Sequence, residues 1–97
     1  VSQYRISPSA SYDLNEIADY FLERNIIAGE QFFQEFNRKC QYLTQFPYMG
    51  KSYRHLLTDL RGLPLDGYII LYRAVGETVE ILRVVHGRQN LEELFRD

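Results

Sequence analysis

The sequence predicts an α+β fold of order βααβββ: an antiparallel sheet packed on a two-helix hairpin, closed by a short C-terminal helix. Three observations carry this. Apolar residues recur at helical spacing in two successive segments, first Leu14, Ile17, Ala18, Phe21 and Leu22, then Ala28, Phe32, Phe36, Cys40 and Leu43. Tyr68–Val75 and Thr78–His86 are instead rich in β-branched, aromatic and Leu residues, with only Gly76 and Glu77 between them. No strand–helix–strand alternation occurs, which excludes a doubly wound parallel sheet.

Gln3–Ser7 alternates, which suits a first strand with Tyr4 and Ile6 on one side. Ser7-Pro8 reads as an N-cap with Pro at the first helical position, where its missing N–H costs nothing. A helix over residues 8 to about 24 comes next, with Asp13 and Glu16 near its positive end. Asn25-Ile26-Ile27 interrupts, and a second helix runs from about Ala28 to Gln45, with Phe33 and Phe46 flanking its stripe. So short a link makes the two an antiparallel hairpin. Pro47 and Gly50 end the second helix; Lys51–Leu57 reads as loop and Leu60–Leu65 as strand. Pro64 confines that strand to an edge or its end, because proline cannot donate to a ladder. Leu91, Leu94 and Phe95 give the last short helix, with Asn90 in position to cap it.

A two-residue turn with Gly first suits type II′, and it fixes which residues face each other. Val75 then faces Thr78, Arg73 faces Glu80, Leu71 faces Leu82 and Ile69 faces Val84; on the other side Tyr72 meets Ile81, Ile70 meets Arg83 and Tyr68 lies near Val85. The first face is mainly aliphatic and is expected to carry the helices. The second, with Tyr68, Tyr72 and Arg83, reads as a partner surface.

Bulk composition bounds the function. Ninety-seven residues make one domain, and 45 % hydrophobic with 25 % charged residues is ordinary for a soluble protein. Cys40 has no second cysteine to pair with, no apolar run approaches a membrane span, and no signal-peptide pattern opens the chain, so a cytoplasmic protein is expected. Thirteen acids against eleven bases give −2, so the chain has no general surplus of cations with which to hold a polyanion. Nine of the eleven bases are Arg, whose guanidinium favours bidentate carboxylate pairs and aromatic stacking.

Candidate chemistry is sparse. One Cys and two His, His55 and His86, offer no metal-ligand spacing, and no Gly-rich phosphate loop or nucleophile elbow is present. Neither a metal nor a cofactor is expected. His86 with Arg88 reads either as acid–base chemistry beside a cation or as a strand-end His with an Arg paired to Glu92 or Glu93. Arg83, inside an apolar strand, needs a partner: a buried carboxylate with Tyr72 stacked on it, or a bound chain. Tyr48, Lys51, Tyr53, Arg54, His55 and Arg61 interleave bases and aromatics, as nucleic-acid surfaces, protein interfaces and solvated loops all do.

Several motifs fall together in order. They are Ser7-Pro8-x-Ala10, Asp13-Leu14-x-x-Ile17, Phe46-Pro47-x-x-Gly50, Leu60-Arg61, Ile69-Ile70-x-Tyr72-Arg73 and the run from Val79 to Arg88. In this order they resemble the RelE/ParE superfamily of type II toxin–antitoxin toxins, on the ParE side, over nearly the whole of residues 1–97. The resemblance implies a single toxin domain, neutralised in a hetero-oligomer with a small cognate antitoxin, that poisons DNA gyrase without catalysis of its own. The antitoxin would lie on the face with Tyr68, Ile70, Tyr72 and Arg83 and on the helical hairpin; Arg88, Leu91 and Phe95 would touch the target. The sister branch implies a different activity, cleavage of mRNA on the ribosome, for which Arg61, Arg83, His86 and Arg88 are the residues that carry over. Such nucleases are strongly basic and often end in a catalytic Tyr, whereas this chain has only Lys39 and Lys51 and no Tyr after Tyr72. A non-toxic remnant that only binds its antitoxin is the third reading.

Overall fold

A computed structural model describes residues 3–96. The elements are β1 (Gln3–Ile6), α1 (Pro8–Arg24), α2 (Ile26–Gln45), β2 (Lys51–Ser52), β3 (Arg61–Leu65), β4 (Tyr68–Val75), β5 (Thr78–His86) and α3 (Leu91–Leu94). They make an α+β fold whose five strands lie in the order β1-β5-β4-β3-β2. The sheet is mixed rather than wholly antiparallel, because β1 runs parallel to β5. Alternation in Gln3–Ile6 reveals a strand but neither its partner nor its direction. β3 occupies one side of β4, so the outer side of β5 is the place left for β1. The two-residue β2 is too short for any period to show, and sequence reads it as loop.

The helix boundaries are set by their caps. The Ala10 N–H donates to Ser7 Oγ at 3.1 Å, and Pro8 opens α1 as expected. Asn25 alone separates the helices: its N–H donates to Phe21 O, closing α1, and its Oδ1 accepts from Ala28 N at 3.0 Å, opening α2. One residue with a side-chain acceptor therefore makes the whole turn, and Ile26 and Ile27 are helical rather than part of the interruption.

The core lies between the hairpin and one sheet face. Ala10 and Ile17 of α1 and Phe32, Phe36, Cys40 and Leu43 of α2 meet Ile70, Tyr72, Val79, Ile81 and Val84, all buried. Each large side chain so placed contributes about 1.5–3 kcal/mol. Leu22, at the end of the α1 stripe, is instead 67 % exposed. On the opposite face a smaller cluster, Leu60, Leu71 and Val85, is covered by Tyr53, Leu56 and Leu57 and by Leu91, Leu94 and Phe95.

This reverses the expected faces. The Tyr68, Ile70, Tyr72 side carries the helices, and Ile70 and Tyr72 have no exposed surface. A β-bulge is part of the reason. The pairs Val75↔Thr78, Ala74↔Val79, Arg73↔Glu80 and Tyr72↔Ile81 hold, with Gly76 at φ +60 as the turn needs. Leu82 is then extra, so Leu71 pairs with Arg83, Ile70 with Val84, Ile69 with Val85 and Tyr68 with His86. One additional residue in β5 turns Val84 inward to the helices.

Candidate functional site

The bulge sits where β1 ends. β1 pairs with β5 only as far as Ile6↔Ile81, so the outer edge of β5 beyond Ile81 lacks a strand partner. The start of α1 supplies it. Ser7 Oγ donates to Leu82 O at 3.0 Å, and the Val84 N–H donates to Asp13 Oδ2 at 2.9 Å. Arg83 closes on the same carboxylate, Nε to Oδ2 at 2.7 Å and Nη2 to Oδ1 at 2.9 Å, a bidentate pair. That hydrogen bond raises the Arg83 pKa above its ordinary value. The buried carboxylate expected for Arg83 is therefore Asp13, without stacking on Tyr72 among the described residues. Asp13 stabilises the strand edge rather than the helix dipole. Its place was legible: it lies three residues after Ala10 and four before Ile17, both buried, so it shares their face.

Tyr72 organises the other end of the molecule. Its hydroxyl donates to Pro47 O at 2.8 Å and accepts the Gly50 N–H at 3.0 Å. Burial pushes the phenol above its usual pKa. Gly50 is obligatory here, since a Cβ would stand 2.6 Å from the Tyr72 hydroxyl and 2.8 Å from Gly62 O. The loop so latched presents two carbonyls to Arg61, whose Nη1 donates to Gly50 O at 2.8 Å and Tyr48 O at 3.2 Å. Arg61, Arg54, His55 and Tyr48 line a cavity of about 590 Å³. Tyr53 turns away into the smaller cluster, with Lys51 over its ring at 5.3 Å.

The remaining candidates separate. His86 is exposed and its ring lies 4.6 Å from that of Tyr68, which packs in turn on Phe32. His86 and Arg83 share a second cavity of about 280 Å³ with Tyr20 and Glu16, distinct from that of Arg61. Arg88 is exposed at the turn before α3; among the described residues it pairs with neither Glu92 nor Glu93, and Glu93 is met by Arg96 at 3.6 Å. Leu91 and Phe95 are half-buried against the sheet. Asn90 caps α3 through Glu92 N at 3.1 Å. The expected Arg73–Glu80 pair is present at 3.1 Å, and β1 adds Arg5 at 2.8 Å. Hydrogen bonding from Arg5, and then from Arg73, holds the Glu80 carboxyl below its ordinary range. Arg5 is hidden in the sequence because nothing local assigns its strand a neighbour.

The tip of the helical hairpin is the feature that sequence patterning concealed. Leu22, Ile26 and Ile27 are 67 %, 59 % and 67 % exposed. Leu22 and Ile26 rim an apolar groove of about 260 Å³ floored by Ala18, Phe21, Gly29 and Phe33. An expectation that Leu22 is core and that Ile26-Ile27 is linker hides a patch formed by both. Among the described residues no three His, Cys, Asp or Glu are grouped to hold a metal, and no helix is long and apolar enough to cross a membrane.

Comparison with known proteins places this architecture. Residues 4–91 match the family model of the ParE toxin of the type II toxin–antitoxin system, parDE. Toxin ParE1 of Caulobacter vibrioides is 30 % identical over 88 residues, 90 % of this chain and 91 % of that protein. Toxin ParE3 of the same organism is 41 % identical over 49 residues, about half of each chain. A solved structure of the chromosomal ParDE system from P. aeruginosa superposes with a TM-score of 0.72, covering 89 % of this chain and 95 % of that one. Its sequence is 20 % identical, so that likeness is one of fold. The family model spans nearly the whole chain, and ParE1 is similar over nine-tenths of it: the chain belongs to the ParE toxin family of type II toxin–antitoxin systems.

Proposed function

We propose that this toxin acts in the cytoplasm by arresting DNA gyrase, and that a cognate antitoxin neutralises it by covering the tip of the helical hairpin. The groove between α1 and α2, with Leu22 and Ile26 exposed at its rim, is the observation that carries the antitoxin assignment. Contiguous exposed apolar surface on a small protein marks an interaction site, and an amphipathic helix laid in such a groove is a common solution. Ile70 and Tyr72, being core, are withdrawn from the antitoxin surface; Tyr68 and Arg83 remain at its margin, in the cavity beside α1. Arg88, exposed beside α3, with Leu91 and Phe95 beneath, remains the proposed target contact.

The ribosomal nuclease reading draws less support. Arg83 is committed to Asp13, and Arg61 opens on a cavity that holds neither Arg83 nor His86. Four candidate groups that do not converge offer no shared position for a scissile phosphate. Replacing Leu22 and Ile26 together by Glu tests the antitoxin assignment. Affinity for the cognate antitoxin, by calorimetry, should fall at least about 100-fold, or ~2.7 kcal/mol, while the melting temperature stays put. Undiminished affinity would move the antitoxin to another surface. Growth arrest by the double variant separates antitoxin-binding from target-binding residues; a folded parent chain that never arrests growth would identify a non-toxic remnant.

A further inference from the structure

Arg61 is half-buried, yet among the described residues no carboxylate pairs with it. Its Nη1 is held by Tyr48 O and Gly50 O, and no described residue accepts from Nε or Nη2. A guanidinium fixed along one side by carbonyls presents a free donor pair along the other, the geometry that grips an oxyanion through two parallel hydrogen bonds. Arg61 lines a cavity of about 590 Å³. Arg54 and His55 line the same cavity with Ser52 and Thr58, and Asp59 is the one acid among its described lining residues. Its size falls within the range, roughly 300–1,000 Å³, that small-molecule sites occupy. Tyr48 leaves 72 % of its surface exposed beside it, with the Arg61 guanidinium 5.3 Å from its ring. An exposed ring next to paired cations is how proteins hold one nucleotide, base on the ring and phosphate on the guanidinium. The site is also built: Tyr72 locks Pro47 and Gly50, which position the carbonyls that hold Arg61.

We propose that this cavity binds the phosphate of a nucleotide, with Arg61 and Arg54 on the phosphate and Tyr48 on the base. The inference is independent of the gyrase reading and needs no catalysis. It also supplies an anion to a half-buried cation that, among the described residues, is met by two carbonyls and a Tyr ring but by no carboxylate.

Amide NMR titration of the full chain tests it, with three probes: inorganic phosphate, adenosine monophosphate and an eight-residue oligothymidylate. The nucleotide should shift Tyr48, Arg54, His55 and Arg61 with a Kd near or below about 1 mM, tighter than phosphate alone, and lose affinity as salt rises. Arg61→Gln should weaken it at least about tenfold. Arg54→Gln and Tyr48→Ala, at exposed positions, should each weaken it several-fold while the melting temperature is kept, so a misfolded Arg61 variant would not decide the matter. Tighter binding of the oligonucleotide than of the monophosphate assigns the phosphate to a strand, and the reverse assigns it to a free nucleotide. Absence of shifts at these residues up to about 20 mM of every probe, or shifts that persist unchanged in Arg54→Gln and Tyr48→Ala, would overturn the proposal.

Discussion

Asp13 accepts three hydrogen bonds, from Arg83 Nε, Arg83 Nη2 and Val84 N, with its side chain only 10 % exposed. Asp13→Ala leaves a strand-edge N–H and a largely buried cation without a partner, and should cost about 2–4 kcal/mol in urea unfolding. Asp13→Asn keeps an acceptor for Val84 and should cost less. In a cycle with Arg83→Ala the double variant should fall short of the summed losses by about 0.5–3 kcal/mol. Additive losses would show that the pair does not act as a unit. Tyr72→Phe orphans the buried Gly50 N–H and should cost about 1–3 kcal/mol. Cys40 adds a pH dependence, because burial pushes its thiol from 9.0 up to about 12. The folded state therefore keeps its proton while the unfolded chain loses it. Its contribution is fully present below pH 9.0 and is lost as pH rises from there toward 12. Each pH unit in that window removes up to about 1.4 kcal/mol, and Cys40→Val should flatten this part of the urea-midpoint profile.

At the scale of elements, what was legible depended on whether the signal was local. Ser7-Pro8 announces α1 because an N-cap and its proline act within one turn, and the structure places the cap there. Ser7 also donates to Leu82 O across the edge, so Ser7→Ala should cost about 1–2 kcal/mol, at the upper end of a simple cap, by urea unfolding. A loss of a few tenths would mean that the edge bond contributes nothing. The hairpin register was legible from its turn for four pairs and then failed. Leu82-Arg83-Val84-Val85 alternates too weakly for an inserted residue to show, and the cause of the bulge is distant in sequence. β1 ends at Ile6, opposite Ile81 of β5, and Asp13 captures Arg83 and Val84 beyond that pair. Backbone NOEs should link Leu71 to Arg83; a link to Leu82 would restore the unbulged register. The face error has a similar origin. Tyr and Arg in a strand suggest an exposed surface, but the Tyr72 hydroxyl is satisfied by Pro47 and Gly50 under the helices, and Arg83 is satisfied by Asp13 of α1 at the sheet edge.

For the whole molecule, the residues that sequence nominated as one site are spread over three places. Arg61 lines the cavity at the end of α2, Arg83 and His86 the cavity beside α1, and Arg88 the approach to α3. Periodicity finds elements and their buried stripes, but convergence of side chains depends on packing between elements, which no local pattern encodes. The hairpin tip escaped for the same reason: Leu22 and Ile26 fall at helix ends, where a stripe reads as core or as linker until the turn is fixed by Asn25. The proposal that this ParE-family toxin stops gyrase by binding is tested most directly by supercoiling of relaxed plasmid with the purified chain titrated in. The expected result is dose-dependent loss of supercoiling, accumulation of cleaved DNA and full recovery when the cognate antitoxin is added. Undiminished supercoiling in the presence of folded chain that still halts growth would contradict it.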